Sequence, residues 1–416
     1  MKILIIAYYY PPLVGGGSLR PLRMAKHLPD YNHQVKVLTH TYQKTTIKND
    51  LILIFDPSYN CKRQGYLKIK WLIKRIFTEI CNIFGFYHSI YAWWRKNVMK
   101  NIPMMEKSFT PDLILATYPP IECLEIGIQL AAHWQVPLIT DFRDGLLFEP
   151  IESKRLSAFS CIRRHYQHTE ATVVQESHAI IAAHPMLKEY FLKNYKKEAV
   201  FCLPNSFDPV DLEDIPPVDL SKKKIHLVHT GNFALSDINC DIVPFLTALT
   251  DFLSGNPDCR HKLQIHQLGL FNGREKKAAG QLMEWGTLRY HGQKDRKTCL
   301  SFQREADLLL LITSESRPSV SPGKLFEYLQ AETPILALTK GSFVSEIIND
   351  SRSGWIFNSQ DLTGIVKFIE AFLTDKKLKK SFHPNSEVTE KFNLKNQIKN
   401  LNQIIQKVQR EYESPS

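Results

Sequence analysis

Eleven consecutive residues of this 416-residue chain, Ser319-Val320-Ser321-Pro-Gly323-Lys324-Leu325-Phe-Glu327-Tyr-Leu329, carry the groups that an anionic ligand needs. Ser321 is a good N-cap and Pro322 a good first helical residue, so a helix is predicted to open there. It follows Asp307-Leu-Leu-Leu-Leu-Ile312, a continuously apolar run of the kind seen in fully buried parallel strands. A helix opening just after such a strand presents free N–H groups and the positive end of its dipole. Lys324 adds a full positive charge, which suits a diphosphate. Glu327, one turn on, cannot favour a phosphate, but it can accept two hydrogen bonds from a ribose diol. The alternative is that Lys324 and Glu327 form an ordinary surface pair.

Other candidates follow predicted strands of the N-terminal half. Gly15, Gly16 and Gly17 allow a close backbone approach to a phosphate or sugar. They are not a dinucleotide fingerprint, because Arg20 stands where that pattern has its third glycine; a tight turn without ligand is the other reading. Thr117-Tyr118-Pro-Pro120 and Asp141-Phe-Arg143-Asp144-Gly145 each end a predicted strand. Asp141 or Asp144 can orient a hydroxyl and Arg143 a phosphate, although Asp–Arg pairs that only hold loops fit equally well. The fifteen histidines are expected not to cluster. His226 and His229, three apart in one strand, point to opposite faces and make no metal pair. There is no Walker loop, Ser-His-Asp spacing or zinc pattern. The expectation is therefore a metal-independent reaction without a cofactor, in which the helix dipole and cations stabilise a departing diphosphate.

The elements that must position these groups read as two α/β series. Lys2–Ala7, a helix over 20–28, and strand His33–Thr39 open a doubly wound domain. Strand 112–117, helix 121–133, strand 137–141, helix 157–177, strand 178–183 and the extended segment 201–205 continue it. Residues 209–224, with prolines among acidic residues and then three lysines, read as a linker. A second series runs through strands 224–230, 263–268, 288–292 and 307–312, helix 322–331 and strand 333–338. The tail, 394–412, has one apolar helical face. The predicted domains are 1–208, with a basic aromatic helical insertion at 62–107, then 225–385, then helices at 386–416 that cross back. Two Rossmann-like domains would face each other across a cleft, where the strand-to-helix loops converge.

Composition bounds the rest. Apolar residues make up 44% and charged residues 23%, a globular mix. Net charge is +11, and residues 62–107 hold ten Lys/Arg against two Glu. Within that stretch Ile69, Leu72, Ile73, Ile76, Phe77 and Ile80 recur at helical spacing opposite Lys68, Lys70, Lys74 and Arg75. Tyr87, Tyr91, Trp93 and Trp94 follow. Aromatics beside lysines suit an anionic lipid headgroup layer; helices packed on the first domain with a solvated basic face are the alternative. Nothing else supports nucleic acid. The eight cysteines lie more than ten residues apart, which fits a reducing, cytoplasmic compartment. The apolar run at the N-terminus is too short for a signal peptide, and no stretch is long enough to span a membrane.

Two of these segments carry a resemblance. The N-terminal strand with Pro11-Pro-Leu-Val-Gly-Gly-Gly17 and Arg20, and Pro322-Gly-Lys-Leu-Phe-Glu-Tyr-Leu-Gln-Ala-Glu-Thr-Pro-Ile-Leu336, resemble the retaining glycosyltransferases of family 4, with the GT-B fold. Asn205-Ser-Phe-Asp208 is similar to the family's Asn-Gly-Val-Asp. Thr230-Gly231-Asn232 stands where the second domain opens, and Arg289-Tyr290-His291 where the base is held. The resemblance implies that Gly15, Gly16, Gly17, Gly231, Asn232, Ser319, Val320, Ser321, Gly323, Lys324, Leu325 and Glu327 bind the donor. Glu327 matches the ribose-binding second Glu of the family's E-x7-E motif. Ser319 replaces the first Glu, and the family's Arg and Lys after Gly231 are missing, which leaves the phosphates to Lys324, Arg317, Arg20 or Arg143. Thr117, Tyr118, Asp141 and Asp144 fall on the acceptor side. The implied reaction moves a sugar, with retention, from a UDP- or GDP-sugar to a lipid-linked or envelope polysaccharide acceptor, the leaving phosphate deprotonating the acceptor. The scattered cysteines and the basic stretch 62–107 add the expected place, the cytoplasm, peripherally on the inner membrane face. The rivals are a non-catalytic sugar-nucleotide-binding subunit and a nucleotide-sugar 2-epimerase.

Overall fold

The structure is a computed structural model. It describes residues 1–12, 16–41, 43–56, 65–151, 153–233, 241–313, 317–375, 378 and 381–414, without the side chains of 16 and 65–70. Gly15 and residues 234–240 lie outside the described residues. The chain forms two compact units, Met1–Pro204 with Ile398–Ser416, and Asn205–Gln397.

The first unit is built on eight strands: β1 (Lys2–Ile6), β2 (Gln34–Thr41), β3 (Thr46–Lys48), β4 (Leu51–Phe55), β5 (Leu113–Tyr118), β6 (Leu138–Phe142), β7 (Ala179–Ala182) and β8 (Val200–Cys202). Their order is β3-β4-β2-β1-β5-β6-β7-β8, parallel except for the β3–β4 pair. Ile3, Leu4, Ile5 and Ile6 are all fully buried, because helices cover both faces of a parallel sheet. Those helices include α1 (Gly16–His27), α2 (Gly65–Ile83), α3 (Ala92–Lys100), α4 (Ile102–Glu106), α5 (Ile121–Trp134), α6 (Ser153–Ala158), α7 (Ser160–Glu176) and α8 (Pro185–Tyr195). Strand order reverses between β1 and β5. In sheets of this kind the ligand crevice opens outside the carboxyl ends at such a reversal.

The second unit is a six-stranded parallel sheet, β9 (Ile225–Thr230), β10 (Leu263–Leu268), β11 (Leu288–Tyr290), β12 (Leu308–Ile312), β13 (Ile335–Leu338) and β14 (Gly354–Phe357), ordered β11-β10-β9-β12-β13-β14. Its reversal lies between β9 and β12. Its helices include α9 (Val243–Gly255), α10 (Pro257–Lys262), α11 (Gly273–Ala278), α12 (Gly280–Glu284), α13 (Arg296–Glu305), α14 (Gly323–Ala331), α15 (Phe343–Ser351) and α16 (Leu362–Thr374). The last helix, Leu394–Glu413, contributes its residues from Ile398 onward to the first unit.

Several boundaries differ from the sequence reading. Helix α1 starts four residues before Arg20, and the helix expected over 157–177 is two, broken at an extended Phe159. Strands β3, β4 and β14 were not foreseen. Helix α14 opens at Gly323, not Pro322. Pro322 has an extended ψ of 145° and is itself the N-cap, with no side-chain capping bond, so Ser321 does not cap the helix.

Candidate functional site

In the second unit, β9 runs into Gly231, whose φ of +96° favours glycine. The Gly231 N–H donates to the Leu268 carbonyl at 2.6 Å, and its carbonyl accepts from Gln267 Nε2 at 2.8 Å. Asn232 Oδ1 accepts from the Leu270 amide at 2.6 Å. A Cβ on Gly269 would collide with the Gly231 carbonyl. The turn after β9 is thus fixed against the turn after β10.

Lys324 reaches this turn from the first turn of α14. Its Nζ lies 3.4 Å from the position of a Cβ on Gly231 and 3.3 Å from His229 Nε2. Because an ammonium only donates, His229 Nε2 accepts, and Nδ1–H donates to the Leu310 carbonyl at 2.8 Å. Burial, and then Lys324, hold the His229 pKa well below its ordinary value, so the ring is neutral. Lys324, Gly231 and the N-terminus of α14 therefore converge beside the reversal between β9 and β12.

The remaining residues of the motif divide by orientation. Ser319 is fully buried, Ser321 nearly so, Val320 and Arg317 are half-buried, and Gly323 is exposed. Leu325, expected at the donor, instead sends its side chain into the apolar core, because its helix face points at the sheet. Glu327 is gripped by Arg296, at 3.0 Å from Nη2 and 3.2 Å from Nε, and Gln303 Nε2 lies 3.3 Å away. Arg296 also pairs with Asp211 at 2.8 Å. Burial alone would lower the Arg296 pKa, but Glu327 and Asp211 together raise it. A ribose diol would use the lone pairs of Glu327 that Arg296 leaves open. Arg296 and Gln303 were not foreseen, since no local motif ties them to Glu327.

Tyr290, at the exposed end of β11, stacks on Phe271 at 5.1 Å and 12°. Phe271 stacks on Phe233 at 6.1 Å, and Phe233 on His229 at 3.9 Å. These near-parallel rings run from buried His229 to exposed Tyr290, past the carboxyl ends of β9, β10 and β11. Arg289 is exposed beside them. Contrary to expectation, histidines do cluster. His226 Nδ1 lies 2.9 Å from His266 Nε2, and His266 Nδ1 3.0 Å from His291 Nε2. Adjacent parallel strands bring into line residues that are far apart in sequence. His226 Nε2 lies 2.9 Å from the Ser221 carbonyl and must donate to it. With neutral rings, the order of donors then runs His291 to His266 to His226, and His291 Nδ1 is left as an acceptor. Burial, then His226, His291 and Arg289, push the His266 pKa down to about 3. Among the described residues no group of three or more His, Cys, Asp or Glu is arranged to hold a metal.

In the first unit the cationic candidates hold loops. Arg20 grips buried Asp141 with Nη2 at 2.7 Å and Nε at 3.0 Å, and donates to the Pro204 carbonyl at 3.0 Å. Thr117 Oγ1 donates to the same carboxylate at 2.9 Å. Arg20 and Asp141 thus neutralise each other inside the fold, where neither a phosphate nor an acceptor hydroxyl meets a spare charge. Arg143 donates to the carbonyls of Gly17, Tyr118 (3.2 Å) and Pro119 (3.0 Å). Burial lowers its pKa, with Asp144 and Asp141 opposing. Arg143 ties the glycine turn to the β5–α5 loop, and Asp144 is half-buried beside it. Tyr118 is 3% exposed and lines a cavity with Tyr9 and Glu122.

Helix α2 is turned inside out. Its polar Thr78 and Asn82 are buried, bonding to His88, and Glu79 pairs with Arg155 at 3.2 Å. Leu72, Ile73, Ile76, Phe77 and Ile80 are 45–60% exposed, and Ile83, Phe84 and Phe86 more so. Lys74 lies over the Trp93 ring and Arg75 over Trp71. Among the described residues no helix is long and apolar enough to cross a membrane.

No protein-family model matches the chain, and no curated protein sequence matches it. Solved structures do. Sucrose-phosphate synthase from Thermosynechococcus elongatus is 13% identical, with a TM-score of 0.67 over 98% of both chains. Anabaena HepE, solved with UDP and glucose, is 15% identical, with a TM-score of 0.63 over 98% of this chain and 100% of that one. The trehalose-phosphate synthase of Burkholderia xenovorans, solved with glucose-6-phosphate, is 10% identical, with a TM-score of 0.65 over 97% and 99%. With its two α/β units and solved structures matched over nearly the full length of the chain, the protein has the fold of the GT-B glycosyltransferases.

Proposed function

We propose that the protein is a glycosyltransferase that moves a sugar from a UDP- or GDP-sugar to a lipid-linked or cell-envelope polysaccharide acceptor, with retention of configuration. The observation that carries this reading is the placement of Lys324 Nζ over Gly231 at the amino end of α14. An ammonium, the free amides of a helix end and a glycine that admits close approach are what a diphosphate needs. Glu327, oriented by Arg296, takes the ribose hydroxyls. The Phe271–Tyr290 shelf takes the base, and His291 offers its Nδ1 lone pair to a base N–H. The departing diphosphate then gathers its charge against Lys324 and the helix dipole. It also serves as the base that receives the acceptor proton, so no side chain is assigned that task. Solved GT-B enzymes that carry UDP and glucose or glucose-6-phosphate support the substrate class.

Membrane docking is part of the proposal. Helix α2 exposes apolar side chains where a soluble helix would bury them, within a segment of ten Lys/Arg and two Glu, which suits an anionic bilayer surface. In this reading the enzyme works in the cytoplasm, on the inner face of the membrane.

Calorimetry with UDP and GDP tests the donor site. One of them should bind, and Lys324→Ala should raise its Kd by about tenfold or more, as loss of a charged hydrogen bond does. Equal affinity in the variant removes the phosphate role of Lys324. Turnover of radiolabelled UDP- and GDP-sugars with a lipid extract then separates a transferase from its rivals. Binding without turnover means a non-catalytic subunit, and interconversion without acceptor means an epimerase.

A further inference from the structure

A cavity of about 160 Å³ lies wholly within the first unit, at the reversal between β1 and β5. Tyr9 follows β1, Tyr118 ends β5, and Tyr87, Tyr91 and Tyr166 close the sides. Glu122, in the first turn of α5, also lines it. Glu122 is 1% exposed, and neither of its carboxyl oxygens has a partner in good hydrogen-bond geometry, although the Ser89 side chain, also on the cavity wall, lies near enough to pull its pKa down. Its neighbour Glu125 is by contrast fully engaged, with Arg95 at 2.5 Å and His165 at 2.6 Å. Buried carboxyl groups are seldom left unbonded, and where one is, a ligand that satisfies it is the economical explanation. The volume matches an engineered cavity that admits a single benzene ring, so the space fits one six-membered ring.

The lining narrows the chemistry. Tyrosine rings offer apolar faces and polar tips, which suits a molecule with C–H faces and hydroxyl edges. Glu125, behind Glu122, is matched by Arg95, and Arg155, which lines the cavity, is matched by Glu79, so the lining offers no spare charge to an anion or a cation. We propose that this cavity binds one neutral glycosyl ring of the acceptor, with Glu122 hydrogen-bonding a ring hydroxyl and so selecting the sugar. That the ring belongs to the acceptor rests on the glycosyl-transfer reading; that the cavity takes a neutral sugar does not.

Ligand-observed NMR titrations on the full chain test it, using methyl α-glucoside, methyl α-mannoside, methyl β-N-acetylglucosaminide, tetramethylammonium and, separately, UDP. At least one glycoside should bind. Glu122→Ala should weaken it by about tenfold or more, while Glu122→Gln, which still donates and accepts, should stay within about threefold. UDP affinity should be the same in all three proteins. Should Glu122→Ala unfold, Tyr87→Ala on the half-buried rim should give the same loss. The proposal is overturned if no glycoside saturates the wild type, if the variants bind it equally, or if tetramethylammonium binds instead. Glycoside binding without UDP binding keeps this site and removes the transfer reading.

Discussion

At Glu122 the fold holds a proton that the unfolded chain would release. Burial, and then Glu125, push its pKa up to about 8, against opposing pulls from Ser89 and Arg95. The native state therefore binds more protons than the unfolded state between the ordinary carboxyl value and about pH 8. Stability is lost as pH rises through that window and levels off above it. Glu122→Gln removes the titration, so its advantage over the wild type should be small at pH 5. By pH 8 it should reach roughly 3–6 kcal/mol. Urea unfolding of both proteins at the two pH values checks this, and a gap that does not widen with pH refutes it. Residue identity made Lys324 and Glu327 legible in the sequence, because a known motif surrounds them. Glu122 was not legible: it reads as an ordinary acidic residue in a helix's first turn until burial is known.

At the scale of elements, α2 and α14 show two ways in which pattern and fold part. The 3.6-residue spacing of apolar positions in α2 was visible, but spacing does not say which face meets the core. In the structure Thr78 and Asn82 face inward and the apolar stripe faces out. Replacing Ile73, Ile76 and Phe77 together by serine should leave the melting temperature unchanged, since all three are at least 48% exposed. It should cut flotation with phosphatidylglycerol-containing vesicles by about fivefold or more. Unchanged flotation would sink the docking reading. In α14 the one-residue shift of the start leaves the candidate donor site as proposed, because Lys324 stays in the first turn. It does remove Ser321 as cap and leaves the first amides of the helix without a side-chain partner from that position.

At the scale of the whole molecule, the chain ends by returning to the unit in which it began. Asn402 Oδ1 meets His33 Nε2 at 2.8 Å, and Tyr412 donates to the Gln135 carbonyl at 2.8 Å. Leu401 and Ile405 are fully buried against the first unit. Leu401→Ala should cost roughly 2–5 kcal/mol of stability, as cavity-forming core truncations do. UDP affinity should not change, since the candidate donor site belongs to the second unit. Chemical unfolding paired with UDP titration reads both, and a stability change near zero would place Leu401 outside the core. The sequence by itself determined two α/β series, their buried parallel strands and the Pro322–Glu327 segment as the candidate phosphate site, because periodicity, glycine turns and helix-start residues are local. Tertiary structure alone decided that Arg20 and Asp141 cancel each other, that Arg296 steers Glu327, that three histidines form a line across β9, β10 and β11, and that Glu122 is buried at a cavity wall. The first three depend on residues 25 to 121 positions apart coming to lie within hydrogen-bond reach, and the last on which helix face is buried, neither of which anything but packing can specify.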